Sequence, residues 1–382
     1  MGAIAFGGPA SAIAMMESEI VREQGWITRQ QFLDILGLTN LIPGPSSTEM
    51  AIYIGFIRAG WAGLVVAGAS FILPAAVITT ALAWVYVRFG ALPIAESLLG
   101  GVKPAVIAVI AIAVWRLGKI AVRNSFLGGL GTLAVLAYLG KLNPLLILVI
   151  GGVIGIVVQQ ARKPKESSAA SKLSIGMTVL KKSFLLPSLL RGAATGLLVA
   201  SVSVPVIKRV PLVRLGLFFL RVGAVLYGGG YVLFAFVEQG LVRDHQWMTQ
   251  RQVLDAIAIG QFTPGPLLST ATFIGYLLGG GWGAVVSTIA IFLPSFLYMM
   301  ALGPILPKLR QSKWMGAFLD SVNVCAVALM AGVTVRLTGD ALRSWPMCLI
   351  AVASLAVLLR WKINPAWVVL GGGLAGLALS LA

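Results

Sequence analysis

Polar and charged positions are so sparse along this chain that the apolar blocks between them set the reading. Six blocks, near residues 1–16, 33–57, 61–87, 94–115, 124–140 and 143–158, are separated by short polar or glycine- and proline-bearing stretches, and six equivalents fill the C-terminal half. A bilayer crossing takes about 20 apolar residues as a helix, and stretches such as 61–87 and 98–115 are of that order. No segment alternates apolar and polar positions with the period of a strand, which excludes a transmembrane barrel. The pattern predicts an all-α polytopic membrane protein.

Composition strengthens that expectation. Of 382 residues, 58% are hydrophobic and 11% charged, with a mean hydropathy of +0.95. A soluble domain carries roughly a quarter charged residues, so there are too few here to clothe a water-facing surface. The formal net charge is +17, but the basic residues lie mostly in short loops between apolar blocks. There they act as topology signals and attract anions. No basic module interleaved with aromatics is present, so nucleic acid is not an expected partner. Cys325 and Cys348 stand in apolar sequence and read as small packing residues. No basic stretch precedes the apolar start, so no cleavable signal peptide is expected. His245, the single histidine, gives a catalytic triad or metal cluster little to work with, and neither cofactor nor metal is expected.

The apolar blocks repeat. "NLIPGPSSTEM" begins at Asn40 and "GQFTPGPLLST" at Gly260, which places Pro43 and Pro264 221 positions apart. The same offset pairs Gly7 with Gly228, Glu17 with Glu238, Trp26 with Trp247, Thr28 with Thr249, Gln31 with Gln252 and Asp34 with Asp255. It also pairs Trp61 with Trp282, and Gly151 and Gly155 with Gly372 and Gly376. Pro74 and Pro294 pair at 220, one residue less. Two homologous units are therefore expected at 1–160 and 215–382, with a basic joining segment at 161–214 that contains an apolar stretch at 184–207. The second unit has "LVRLGLFFLRVGAVL" before its glycine cluster where the first has almost nothing, so the first unit's N-terminal helix is expected to be truncated or its start misassigned.

Loop charges set the relative orientation of the units. In the first, Arg116, Lys119 and Arg123 follow the fourth block, and Arg162, Lys163 and Lys165 follow the sixth. In the second, the basic residues move to the alternate loops, with Lys308, Arg310 and Lys313 after the third block and Arg360 and Lys362 after the fifth. Positive loops face the cytoplasm, so the units are expected to be inverted. Inversion with both ends of the joining segment cytoplasmic requires the block holding the proline-glycine-proline break to enter and leave on one side. That gives about five spans per unit, with re-entrant broken helices.

The breaks carry the candidate chemistry. A helix cannot run through Pro43-Gly44-Pro45 or Pro264-Gly265-Pro266, because proline lacks the donor and clashes with the preceding turn. Irregular backbone at membrane depth survives only where it faces protein or water. The helix restarting after such a break aims free N–H groups and its positive end at that place, which suits an anion. Ser46, Ser47 and Thr48 add hydroxyl donors at the first break, and Ser269 and Thr270 do so a little later at the second. The alternative is that each break is only a turn between short helices. Gly7 and Gly8 pair with the Gly228-Gly229-Gly230 cluster, either as a backbone approach or as close helix packing. Lys103, opposite Asn323 in the other unit, either serves an anion or snorkels. A carboxyl at low dielectric holds its proton tightly, which makes Glu17, Glu49 and Glu238 candidates for a coupling proton, with an arginine ion pair as the alternative for each.

The stretches "FGGPASAIAMMESEIVREQGWIT", "LIPGPSSTEMAIYIGF", "YGGGYVLFAFVEQGLV" and "GQFTPGPLLSTATFIGY" together resemble the chromate ion transporter family. The resemblance covers both units. It implies a bacterial or archaeal inner-membrane secondary transporter that exports chromate and confers chromate resistance, with sulfate as a similar competitor. Position by position it marks Gly7, Gly8, Pro9, Pro43, Gly44 and Pro45, and Gly228, Gly229, Gly230, Pro264, Gly265 and Pro266. The expected partners are chromate, sulfate, the lipid bilayer and a second copy of the chain in a homodimer. Transport of sulfate or another oxyanion is the alternative reading, and a membrane-embedded lipid-acting enzyme, for which no catalytic cluster is visible, is the distant one.

Overall fold

A computed structural model describes residues 2, 9–39, 42–90, 93–161, 210–227, 229–302, 313–342, 344–361 and 363–381. Gly7, Gly8, Gly228 and most of the joining segment, including the apolar stretch at 184–207, lie outside the described residues. Among the described residues every regular element is helical.

The first half contains α1 (Pro9–Met16), which runs on as a π-helical segment (Glu17–Glu23), then α2 (Arg29–Thr39), α3 (Ser46–Phe89), α4 (Pro93–Ala121), α5 (Ser125–Leu139) and α6 (Pro144–Ala161). The second contains α7 (Leu212–Val225), α8 (Leu233–Val237) with its own π-helical segment (Glu238–Asp244), α9 (Gln250–Phe262), α10 (Thr270–Leu302), α11 (Lys313–Ala341), α12 (Trp345–Arg360) and α13 (Pro365–Leu381). Each π-helical segment begins at the repeat-paired glutamate, Glu17 or Glu238. π-helix is rare and recurs at functional sites, so its presence twice at one repeat position is a shared feature of the two halves. The paired threonines start equivalent helices. Thr28 and Gln31 exchange side-chain and backbone hydrogen bonds of 2.8 and 3.2 Å ahead of α2, and Thr249 and Gln252 do the same ahead of α9, which is the reciprocal cap of a helix N-terminus.

Neither α3 nor α10 is one straight rod. α3 leaves helical geometry at Ala59 and Gly60 (φ 58°, ψ −142°), and α10 does so at Gly280 (φ 65°, ψ −155°). Eight helical positions would separate Gly55 from Gly63 by about 12 Å, yet the Gly63 carbonyl fills the space a side chain on Gly55 would need, and Gly275 meets Gly283 in the same way. The chain therefore doubles back at each glycine. The arm at 46–58 is about 20 Å long, too short for a hydrocarbon core of about 30 Å, whereas the arm at 61–89 is long enough. A second reversal lies just upstream: the Thr270 hydroxyl occupies the space beside Gly260, ten residues back across the second break. The break joins two antiparallel short helices.

The halves interlock. α4 packs on α12 and α13, and α11 packs on α5 and α6, so each long helix is covered by the C-terminal hairpin of the other half. Small residues make the close contacts: Gly101 lies against Gly372 and Gly376, and at the equivalent crossing Gly151 and Gly155 lie against Cys325 and Ser321. Backbones approach closely where side chains are small, as in membrane helix pairs. α3 packs on α10, and α7 lies along α10. Tyr138, Phe219, Phe234 and Phe273 are fully buried in a core shared by both halves, and Phe32, Met50 and Ile52 in a smaller one around the first break.

Outward, large apolar side chains are bare: Val66, Leu73 and Val77 on α3, Leu133 and Leu136 on α5, Val352 and Leu359 on α12. Faces of this kind belong in lipid. Trp61 and Trp282, the repeat pair, are 52% and 73% exposed at the glycine reversals, the placement of interfacial anchors. Among the described residues, four helical stretches are long and apolar enough to cross a membrane, Ser46–Phe89, Ser97–Ala121, Leu267–Ala301 and Trp314–Ala341, and four shorter apolar helices accompany them.

Candidate functional site

The two breaks sit at equivalent and reciprocal places. At the first, Pro45 is extended (φ −79°, ψ 104°) and Ser46 opens α3. The Pro45 carbonyl accepts from Thr48 and Glu49 N–H at 2.8 and 3.1 Å. At the second, Pro266 is extended (φ −71°, ψ 134°), followed by one 3-10 turn before α10. Gly44 has φ 150° and Gly265 φ 101°, backbone that side-chain-bearing residues rarely adopt. A side chain on Gly44 would strike the Ser295 hydroxyl, just after Pro294 in the second half. One on Gly265 would strike Ala75, just after Pro74 in the first. Each break therefore lies against the proline-bearing long arm of the other half. Gly44 N–H donates to the Leu226 carbonyl at 2.7 Å, and the Gly2 carbonyl lies beside Gly265. Gly229 (φ 95°) leads into a turn whose Gly230 lies against Leu267 and Leu268, directly after the second break.

The candidate carboxylates separate by environment. Glu17 is partly exposed and lies 3.3 Å from Arg29. Glu238 is buried in a network: Arg243 Nε donates to it at 2.8 Å, Tyr138 Oη at 2.6 Å and Arg336 Nη1 at 3.4 Å. Arg336 also donates to the carbonyls of Tyr138 and Leu139 at 2.6 and 2.9 Å, closing the end of α5. Glu49 differs from both. It is fully buried, neither of its oxygens has a hydrogen-bond partner, and Oε1 lies in the space beside Gly44. The Ser295 hydroxyl beside it is also buried without a partner, as is that of Thr48.

Lys103 is not a lone cation. It is 7% exposed inside α4, with Nζ 3.1 Å from Asp255 Oδ1 on α9, and Tyr86 Oη donates to Asp255 Oδ2 at 2.9 Å. The pair links the two halves and replaces the snorkelling expected from an apolar stem with its head in water. Asn323, the repeat partner, is half-buried on α11. Ser46 is half-buried and Ser47 buried at the start of α3. The structure thus brings together Pro43, Gly44, Pro45, Glu49 and Ser295 at one break, and Gly229, Gly230, Pro264, Gly265 and Pro266 around the other.

Three contributors escaped sequence reasoning. Ser295 carried one signal, its place after the matched Pro294. Arg336 is a lone arginine in an apolar run, the same signal that singled out Lys103. Asp255 was visible only as the repeat partner of Asp34, which bonds Gln30 instead.

Comparison with known proteins fixes the family. The sequence profile described as "Chromate transporter" matches residues 1–156 and 213–377. The chain belongs to the chromate transporter family. It is 31% identical over 378 residues to the chromate transport protein of Cupriavidus metallidurans, covering 99% of this chain and 90% of that one. It is 30% identical over 366 residues to the probable chromate transport protein of Synechococcus elongatus (95% of this chain, 88% of that one). It is also 30% identical over 388 residues to a chromate transport protein of Pseudomonas aeruginosa (98% and 89%). No solved structure gives a significant match. Family membership, the apolar helices and the bare apolar faces together make the chain a multi-pass membrane transporter.

Proposed function

We propose that this member of the chromate transporter family is a secondary active transporter that exports chromate across the cytoplasmic membrane, giving resistance, and that its substrate site lies where the two breaks meet the opposite halves. The observation that carries the reading is the reciprocal packing of Gly44 on Ser295 and Gly265 on Ala75. A helix start offers N–H groups and a positive end to an anion, and two such starts, each backed by an arm of the other half, suit a tetrahedral dianion held between halves that rock against each other. Substrate contact is assigned to Pro43, Gly44, Pro45, Ser46 and Ser47 on one side and to Pro264, Gly265 and Pro266 on the other, with Gly7, Gly8 and the Gly228–Gly230 cluster giving backbone access. Lys103 enters as an ion pair already answered by Asp255, and Asn323 as a neutral amide. Two units at 1–160 and 215–382, inverted and of about five spans each, are part of the same reading, supported by the matched reversals and π-helical segments. Sulfate shares the charge and shape of chromate and is expected to compete.

Labelled chromate uptake into inverted membrane vesicles tests this. The expected result is uptake that excess sulfate reduces and that collapses when the membrane potential is dissipated. Uptake indifferent to the potential removes secondary active transport, and no uptake at all removes the transport direction.

A further inference from the structure

At the first break several polar atoms are buried with nothing to bond. Both Glu49 oxygens, the Ser295 hydroxyl and the Thr48 hydroxyl lack partners, and Glu49 Oε1 and Ser295 Oγ border the same space beside Gly44. A buried polar group without a partner is costly, and a buried ionised carboxylate far more so. Such a group belongs to a binding step or a proton step. The second break has a buried hydroxyl without a partner at Ser269 but no carboxyl, because the position matching Glu49 is Thr270, whose hydroxyl donates to the Leu267 carbonyl at 2.8 Å. The neighbouring titratable groups do not neutralise Glu49. Tyr298 on α10 donates to the Ala224 carbonyl at 2.9 Å. On the other elements packed against α3, Asp255 is held by Lys103 and Tyr86, Asp34 by Gln30 and Glu17 by Arg29.

We propose that Glu49 is the proton-bearing donor of an oxyanion subsite at the first break, completed across the halves by Ser295, so that each bound oxyanion is accompanied by one proton. The inference rests on the transport reading above. An ionised Glu49 has no hydrogen to offer and repels a dianion; the neutral acid donates O–H to one oxyanion oxygen while Ser295 donates to another. When the site opens to water, Glu49 is hydrated and releases the proton. The step forms and breaks only the Glu49 O–H bond, with water as the proton's source and sink. Binding and protonation are then linked: affinity rises as pH falls, by up to about ten-fold per pH unit for one proton wherever the unloaded transporter has released it.

The test is chromate binding to the purified full-length protein in detergent from pH 6 to pH 9, for the native protein and for Glu49→Gln. Glutamine offers an N–H in place of the acid's O–H without taking up a proton. The expected outcome is native affinity that falls with rising pH and a variant that still binds with a flatter profile. Because chromate itself titrates, the difference between the two profiles is the readout. Mixing chromate with the native protein in weakly buffered solution, followed with a pH indicator, should show about one proton taken up per anion beyond that of chromate alone, which needs no variant. Identical profiles, a folded variant that binds no chromate, or native binding without proton uptake overturns the proposal and leaves the transport reading standing. A native protein that binds no chromate at any pH overturns both.

Discussion

Lys103 and Asp255 form a buried ion pair between α4 and α9, and removing one partner of such a pair is far more costly than removing both. Lys103→Gln alone removes the cation facing a buried carboxylate and is expected to destabilise the protein by about 3–5 kcal/mol. The Lys103→Gln, Asp255→Asn double variant should recover most of that loss. Thermal unfolding in detergent gives the comparison, and equal stability of the single and double variants would show that the pair is not what holds these helices. Transport by the recovered double variant then separates a structural lysine from one whose charge the substrate needs. Sequence alone found Lys103 because one cation in an apolar run is visible by itself. Its partner was hidden because Asp255 sits in a helix of ordinary polarity 152 positions away, and only the fold brings the two within 3.1 Å.

The elements that matter most are the paired short helices around each break. Glycine is required at Gly44 and Gly265 by backbone conformation and by close approach at once. Leucine at either should therefore abolish transport while the protein still reaches the membrane. Ser47→Ala, which removes one hydroxyl, should weaken apparent affinity by roughly ten-fold at most, since a hydrogen bond contributes about 0.5–1.5 kcal/mol net. Concentration-dependent vesicle uptake distinguishes these outcomes, and normal transport by both leucine variants would reduce the breaks to simple turns. Much of this level was legible beforehand. Proline and glycine punctuate a helix by covalent necessity, so both breaks were visible, as was the division near residue 60. The paired Thr28 and Gln31 and Thr249 and Gln252 stood out only as repeat partners, and their role as helix caps came from the fold. The π-helical segments were not foreseen, because nothing in "ESEIVRE" or "EQGLVRD" departs from an ordinary helical sequence.

For the whole molecule, the swap of basic loops between halves remains the guide to orientation. Cysteines placed singly at Lys163 and Lys313 in an otherwise cysteine-free protein should react with a membrane-impermeant maleimide from the same side, the cytoplasmic one. Labelling from opposite sides would sink the inverted arrangement. Composition announced a membrane protein and the 221-residue offset announced two related halves, but neither indicated that the halves exchange partners. That exchange depends on which small residues meet across the bundle, as Gly101 meets Gly372 and Gly376, and periodicity within one segment carries no record of its partner. It also bears on how the chain is made. During synthesis α4 enters the membrane before the helices that cover it exist, and α5 and α6 wait for α11. Lipid must hold those glycine faces in the meantime, so α13, translated long after α4, is the one that completes the packing of a surface laid down much earlier.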